Sequence, residues 1–403
     1  MPFSTLHSAL NERAATGLLR TRRTVSSPPS PHIIVDGKSY LSFCSNDYLG
    51  LANHPQLIAA LQQGAQQWGV GSGASHLVSG HTVAHQQLEI ELAKFVDKPA
   101  ALFFSSGYLA NLGAVQALVG RGDTVFADKL NHASLNDAML LSRASIKRYR
   151  HNDVAHLALL LQQSAGSHKG TMTGRKLIIT DAVFSMDGDI APLPELLALC
   201  EQHDAWLLID DAHGFGVLGK QGRGSVAHYF LDNPRIIYMA TLGKAAGVSG
   251  AFVAAEQVVI DTFLQTARSY IYTTASPPAL TSALIASLGL IEQDDWRRTQ
   301  LQKLIAQLRA GLQSLPWKLH CPLVGHCPPV GLPSDTPIQP LIVGENNAVL
   351  ELSNALRERG IWIPAIRPPT VPPGTARLRI SLSAAHSGCD VAQLITALHE
   401  LAR

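Results

Sequence analysis

Ala205-Trp-Leu-Leu-Ile-Asp210, running straight into Asp211-Ala-His213-Gly214, reads as a buried strand that ends in an acid, with a histidine three residues on. Thirty-four residues after Asp210 comes Lys244, in the small-residue turn Thr241-Leu-Gly-Lys244. An acid at the C-terminal end of a strand stands where ligands of open α/β sheets bind. Acid, histidine and lysine together suit pyridoxal 5'-phosphate (PLP): Lys244 to bond its aldehyde carbon, Asp210 to face its ring nitrogen, His213 to sit near its ring hydroxyl. The ring withdraws electrons only while its nitrogen is protonated, so a carboxylate has to face it. Lys244 must shed a proton to act, and the small residues Gly243, Ala245, Ala246 and Gly247 around it leave room for a ring.

Outward from this strand, helical segments alternate with short apolar runs from about residue 55 to 265: Ala100–Phe104, Thr124–Ala127, Lys176–Thr180, Trp206–Asp210 and Ile236–Met239. That alternation predicts an α/β fold with a mainly parallel sheet. A helix-rich stretch follows Pro278. The chain then reads strand Ile338–Val343, helix Asn347–Arg359, strand Ile361–Ile366, strand Arg377–Leu382 and helix Asp390–Arg403. Val324–Pro337 is rich in Pro and Gly and reads as an exposed loop. Near the start, Leu6, Leu10, Ala14 and Leu18 predict an amphipathic helix with Arg20, Arg22 and Arg23 near its end, and Asp36-Gly37 centres a hairpin over residues 32–43.

With 46% hydrophobic and 15% charged residues, a chain of 403 can bury a sizeable core. A net charge of +2 gives no reason to expect a nucleic acid or an anionic membrane as partner. Five scattered cysteines argue against a disulfide framework, and no apolar run reaches the length of a membrane span. Residues 13–30 faintly resemble a transit peptide, but a first helix followed by the linker Ser26-Ser-Pro-Pro-Ser-Pro31 is the preferred reading, and the expected setting is the cytoplasm.

Other segments supply candidate ligands. Phe103-Phe-Ser-Ser-Gly107-Tyr108 is a strand, a tight turn and a helix start, whose backbone N–H groups suit a phosphate. Tyr108 stands near the ring in that reading, and Thr241 and Thr274 are further phosphate candidates. His132, in Asn131-His-Ala-Ser134, suits stacking on a planar ring, and Ser185 suits a hydrogen bond to the ring oxygen. Gly214-Phe-Gly216-Val-Leu-Gly219 matches the dinucleotide pattern, but Lys220-Gln-Gly-Arg-Gly224 after it reads as loop where that pattern needs a helix. The pairs His320-Cys321 and His326-Cys327 sit among prolines and read as an irregular loop rather than zinc ligands, so no metal is expected.

Taken in chain order, Ser45-Asn-Asp-Tyr-Leu-Gly50, Gly71-Ser-Gly73, Ser79-Gly80, Ser106-Gly107, Asn131-His-Ala-Ser134, Val183-Phe-Ser-Met-Asp-Gly188, Asp210-Asp-Ala-His-Gly214 and Thr241-Leu-Gly-Lys244 resemble the α-oxoamine synthases, which are fold-type I PLP enzymes. The resemblance implies a large PLP-binding domain with a mainly parallel sheet over 46–285, a small C-terminal α/β domain over 286–403, and an N-terminal helix and hairpin over 1–45. It implies a homodimer in which Lys244, His132, Asp210 and His213 are catalytic, and in which Gly107, Tyr108, Ser185, Thr241 and Thr274 complete the cofactor site, Thr274 toward the partner subunit. Arg367 is implied to hold an amino-acid carboxylate, with Asn46 nearby and Arg20 and Thr370 at substrate positions. The stretch Ala365–His386 is most similar to members that condense L-alanine with a pimeloyl thioester, carried on CoA (pimeloyl-CoA) or on acyl carrier protein, in biotin synthesis. A glycine C-acetyltransferase reaction, with glycine and acetyl-CoA, is the second reading; an NAD-dependent dehydrogenase or a non-catalytic PLP-fold binding protein are more distant ones. Departures from the family pattern fall at His76, Asp181, Phe215 and Ala245-Ala246, and bear on pocket shape and acyl preference.

Overall fold

The computed structural model describes residues 2–16, 18–165, 174–315, 317–319 and 334–402. Its strands, in chain order, are β1 (His32–Val35), β2 (Lys38–Ser42), β3 (Ala100–Phe104), β4 (Thr124–Asp128), β5 (Ser145–Tyr149), β6 (Lys176–Asp181), β7 (Trp206–Asp210), β8 (Ile236–Thr241), β9 (Ala251–Ala255), β10 (Lys318–Leu319), β11 (Ile338–Gly344), β12 (Ile361–Trp362), β13 (Ala365–Ile366) and β14 (Ala376–Ser381).

Seven of them form the central sheet in the order β3-β9-β8-β7-β6-β4-β5, with β9 antiparallel to both neighbours and the other pairs parallel. The expected mainly parallel sheet is there. Its middle strands are apolar on both faces because helices cover both: Leu207 and Ile209 join one buried cluster, Leu208 between them the other. Two members were not anticipated. β9 is Ala-Phe-Val-Ala-Ala, too small-sided to stand out as a strand, and β5 is the half-exposed edge Ser-Ile-Lys-Arg-Tyr.

A second, antiparallel sheet runs β10-β11-β14-β13, and the hairpin β1-β2 recruits β12 in parallel as a third. The hairpin turn is the expected Asp36-Gly37, both with positive φ (49° and 79°), which suits a two-residue turn. Phe43 N–H donates to the Trp362 carbonyl at 2.9 Å, so the N-terminal hairpin and the C-terminal segment are one sheet. The single strand expected over 361–366 is therefore two short ones, β12 and β13, that pair in different sheets. The first helix, Ser4–Ala15, buries no residue; Leu6 and Leu10 are exposed, and Leu18 lies beyond the helix end, so the amphipathic expectation is not met within one chain. The two His-Cys pairs and Val324–Pro333 lie outside the described residues.

Candidate active site

At the C-terminal ends of β4, β6, β7 and β8 lies a cavity of about 200 Å³ lined by Gly107, Tyr108, Asn111, His132, Ser134, Asp181, Val183, Ser185, Asp210, Ala212, His213, Met239, Thr241 and Lys244. This is the edge where an open parallel sheet binds ligands. Of the residues singled out from sequence, eight meet here: Gly107, Tyr108, His132, Ser185, Asp210, His213, Thr241 and Lys244.

Strand register sets the acids. Asp181 and Asp210 are Cα partners across β6 and β7, so both reach the same edge. Asp211 points the other way, into the core, where Ser225 N–H, Ser225 Oγ and Tyr238 OH donate to it at 2.7, 2.5 and 2.8 Å. Of the adjacent acids, only Asp210 lines the cavity. Its Oδ1 accepts the Ala212 N–H at 3.0 Å and its Oδ2 the Asn111 Nδ2–H at 2.7 Å, which leaves each oxygen a free lone pair. Asn111 also donates to Ser134 Oγ at 2.9 Å, and Ser134 Oγ lies 2.7 Å from His132 Nδ1. The His132 N–H donates to Asp181 Oδ2 at 3.1 Å, while Asp181 Oδ1 is buried without a partner among the described residues. Burial, with the nearby Asp210 charge, pushes the Asp181 carboxyl well above its ordinary range.

Lys244 follows β8 in a turn in which Gly247 N–H bonds the Lys244 carbonyl at 2.9 Å. Its Nζ lies 2.9 Å from His213 Nε2, and His213 Nδ1 lies 2.7 Å from Tyr48 OH. Tyr48 OH donates to Asn46 Oδ1 at 3.2 Å, so His213 is assigned as the neutral tautomer that accepts from Lys244 and donates to Tyr48. Burial, then the Lys244 charge, drives the His213 imidazole well below its usual value. Burial also lowers Lys244, to about 8, against the opposing pull of Asp210 and Asp181. Burial likewise lowers His132.

The opposite wall is the loop that carries Ser185, held from behind by β14. Arg379 is buried and donates to the Ser185 carbonyl at 2.5 Å, Ser381 Oγ at 2.7 Å and Asn46 Oδ1 at 3.1 Å. Arg377, also buried, pairs with Asp187 two residues beyond Ser185. Asn46 thus reaches the site through Tyr48 and Arg379 without lining the cavity. Arg20 and Thr370 are exposed, and Arg367 is half-buried on the loop before Thr370; none of the three lines the cavity. Thr274 faces a different, smaller cavity with His76, Phe104 and Tyr270. Tyr108 donates from its OH to Asp137.

The departures lie mostly outside the cavity. Phe215 packs into the core against Phe95 and Phe252, at 5.4 and 5.5 Å between ring centres, and His76 stacks on Tyr270 at 4.7 Å. Ala245 is small because Gly216 approaches it: a Cβ at Gly216, whose φ is +79°, would come within 2.7 Å of the Ala245 Cβ. The glycine run 214–219 is followed by the 3₁₀ turn Lys220–Gly222, so it has no helix start to offer a dinucleotide.

These residues fit a PLP ring: a desolvated amine on one side, a carboxylate with free lone pairs at a strand end, an imidazole over the floor, and the N-terminus of the helix Gly107–Leu118, capped by Ser106. The chain belongs to the class I and II aminotransferase family, whose model matches residues 38–398. It is 60% identical over 398 residues to the 8-amino-7-oxononanoate synthase of Nitrosospira multiformis, covering 99% of this chain and 96% of that one. That likeness places it in the 8-amino-7-oxononanoate synthase branch of the family. The solved 8-amino-7-oxononanoate synthase from Francisella tularensis is similar in structure, with TM-score 0.73 and 31% identity over 90% of this chain and 97% of that one. So is a serine palmitoyltransferase from S. paucimobilis solved with bound PLP-myriocin aldimine, with TM-score 0.88 and 27% identity over 99% of this chain and 96% of that one.

Proposed function

We propose that this protein condenses L-alanine with a pimeloyl thioester, on CoA or acyl carrier protein, releasing thiol and CO2 to give 8-amino-7-oxononanoate. The observation that carries the reading is the half-buried Lys244 amine, which faces the same cavity as Asp210 and is lowered to about 8 by desolvation. Bound PLP supplies an electron-withdrawing ring that accommodates the charge left when a bond to the amino-acid α-carbon breaks.

The chain's own residues do the rest. Asp210, held by Asn111 and Ala212, faces the ring nitrogen and keeps it protonated. His132, fixed by Ser134 and Asp181, covers one ring face. Ser185 and His213 address the ring oxygen, and Gly107, Tyr108 and Thr241 line the phosphate end. Lys244 Nζ takes the alanine α-proton; its lowered proton affinity makes the amine free above about pH 8. The α-carbon then attacks the pimeloyl carbonyl, the C–S bond breaks and the thiolate leaves with the proton that Lys244 took; CO2 departs from the same α-carbon, and one proton from solvent takes its place there. Arg367 holds the amino-acid carboxylate, with Asn46 behind it, and Arg20 and Thr370 contact substrate when the surrounding loops and the partner subunit close the site.

Residues 46–285 act as the cofactor-binding unit and 286–403 as the smaller one, with the 1–45 segment joined to the latter through β2 and β12. The reading has a homodimer as the working form; that Thr274 lines a cavity other than the one holding Lys244 supports a contact with the partner's cofactor phosphate. The free thiols of Cys44, Cys200 and Cys389 support a reducing, cytoplasmic setting. Among the described residues no helix is long and apolar enough to cross a membrane.

The deciding assay is thiol release from pimeloyl-CoA. Release with L-alanine and not with glycine is expected. Release only with glycine, or only from acetyl-CoA, would move the chain to the glycine C-acetyltransferase reading.

A further inference from the structure

His132 and Ser185 sit on loops that leave different strands, β4 and β6, and a dipeptide of buried His151 and half-buried Asn152 joins the two. His151 and Asn152 follow β5. His151 Nδ1 lies 3.1 Å from Asp128 Oδ1, and Nε2 lies 2.8 Å from Asp189 Oδ2. Asn152 repeats the link: its backbone N–H donates to Asp128 Oδ2 at 2.8 Å, and its side-chain amide to Asp189 Oδ2 at 2.7 Å.

Each acid organises one wall of the active site. Asp128 ends β4, and its Oδ1 also accepts the Leu130 N–H at 2.8 Å, in the turn that leads to Asn131 and His132. Asp189 closes the loop that starts at Val183: the Phe184 N–H donates to the Asp189 carbonyl at 3.0 Å, and Val183 bridges Ile190. Ser185 lies inside that loop. On its far side the same loop is gripped by Arg379 at the Ser185 carbonyl and by Arg377 at Asp187.

The chemistry of the contact is specific. Both imidazole nitrogens face carboxylates, so both must carry hydrogen, and the ring is a cation. The His151 side chain is 2% exposed, Asp128 0% and Asp189 18%, so solvent screens the cluster little. Burial alone would push His151 down; the hydrogen bonds to Asp128 and Asp189 outweigh it and raise the group to about 10.

We propose that His151 is a positioning residue for the cofactor, an imidazolium strut that sets the His132 wall against the Ser185 wall by bridging Asp128 and Asp189. The inference rests on the reading above, in which His132 and Ser185 flank PLP. Without the cation, the buried Asp128 carboxylate and the partly buried Asp189 carboxylate repel each other across the strut and the two walls part.

The test is PLP titration of the apoprotein, read by cofactor affinity and by the visible circular dichroism of the bound ring, for the wild-type chain, His151→Gln and His151→Gln/Asp189→Asn. The single variant is expected to lose affinity by about tenfold or more and to change the dichroism, because it removes the cation between a buried and a partly buried carboxylate. The double variant removes one of those charges and is expected to regain at least half of the loss on a logarithmic scale. A packing role alone would leave the double variant no better than the single one, and that result overturns the proposal. Should His151→Gln not fold, the double variant decides: folding with affinity within about tenfold of wild type upholds the strut, and failure to fold or bind overturns it. Wild-type protein that takes up no PLP ends both readings. Wild-type that binds PLP, beside an unchanged His151→Gln, ends this one alone.

Discussion

The two walls of the active site are built differently. On the sheet side, Asp210 ends β7 and Lys244 follows the neighbouring β8, and the register of the two strands sets their spacing, while His132 and Ser134 open the helix after β4 and Asn111 lies on the helix after β3. On the far side, Arg377 and Arg379 come from β14 of another sheet and reach across to Asp187 and Ser185. The first wall holds titratable groups, which the proposed reaction uses to move protons or to face the ring. The second holds guanidiniums that stay charged and serve as clamps.

Substitutions on the sheet wall should hurt the reaction far more than stability. Lys244→Ala should cost the most: no visible cofactor band reducible by borohydride, and turnover lower by about a thousandfold or more. A variant that keeps the band and normal turnover would remove Lys244 from the mechanism. Asp210→Asn should retain the fold and some PLP, yet slow exchange of the alanine α-hydrogen by about 10²–10⁴-fold. Unchanged exchange would mean that the carboxylate does not face the ring nitrogen.

The far wall should respond the other way. Arg377→Met leaves Asp187 buried without its cation, and breaking such a pair typically costs about 3–5 kcal/mol. A drop in thermal midpoint with weaker PLP retention is expected, while a Met variant as stable as wild type would show that the clamp is not needed. The smallest effect is a pH response. Because burial lowers Lys244 to about 8, the amine is free above that value and protonated below it. PLP uptake by apoprotein should therefore slow as pH falls through about 8 and level off above it. Stopped-flow uptake that does not vary between pH 7 and 9 would contradict the assigned amine, since a tenfold change per unit is expected where the protonated form dominates, roughly below its pKa.

Legibility followed the same division. Asp210, His213 and Lys244 were readable because each sits at a strand end or in a turn whose local pattern shows it. Asn111 was not: its role comes from a 2.7 Å bond to Asp210, ninety-nine residues away, though its place one turn into a helix that starts at the cavity was a usable signal. Arg377 and Arg379 were visible only as part of a matched stretch. Two arginines at alternate positions of an apolar strand mark inward-facing charges, which need buried partners, and that signal was open to reading. The Gly214–Gly219 run shows the reverse case, in which a motif is present but the three-dimensional setting removes its usual meaning.

By itself the sequence determined the α/β alternation, the mainly parallel sheet, the acid–histidine–lysine set and the family, because these depend on apolar periodicity and on residues within a few positions of a strand end. Only the tertiary structure decided which of two adjacent acids faces the cavity, that residues 361–366 divide between two sheets, and that His151 bridges Asp128 and Asp189. Those outcomes rest on strand register and on hydrogen bonds between distant segments. A buried polar group must find its partner wherever packing brings one, and no local pattern names it.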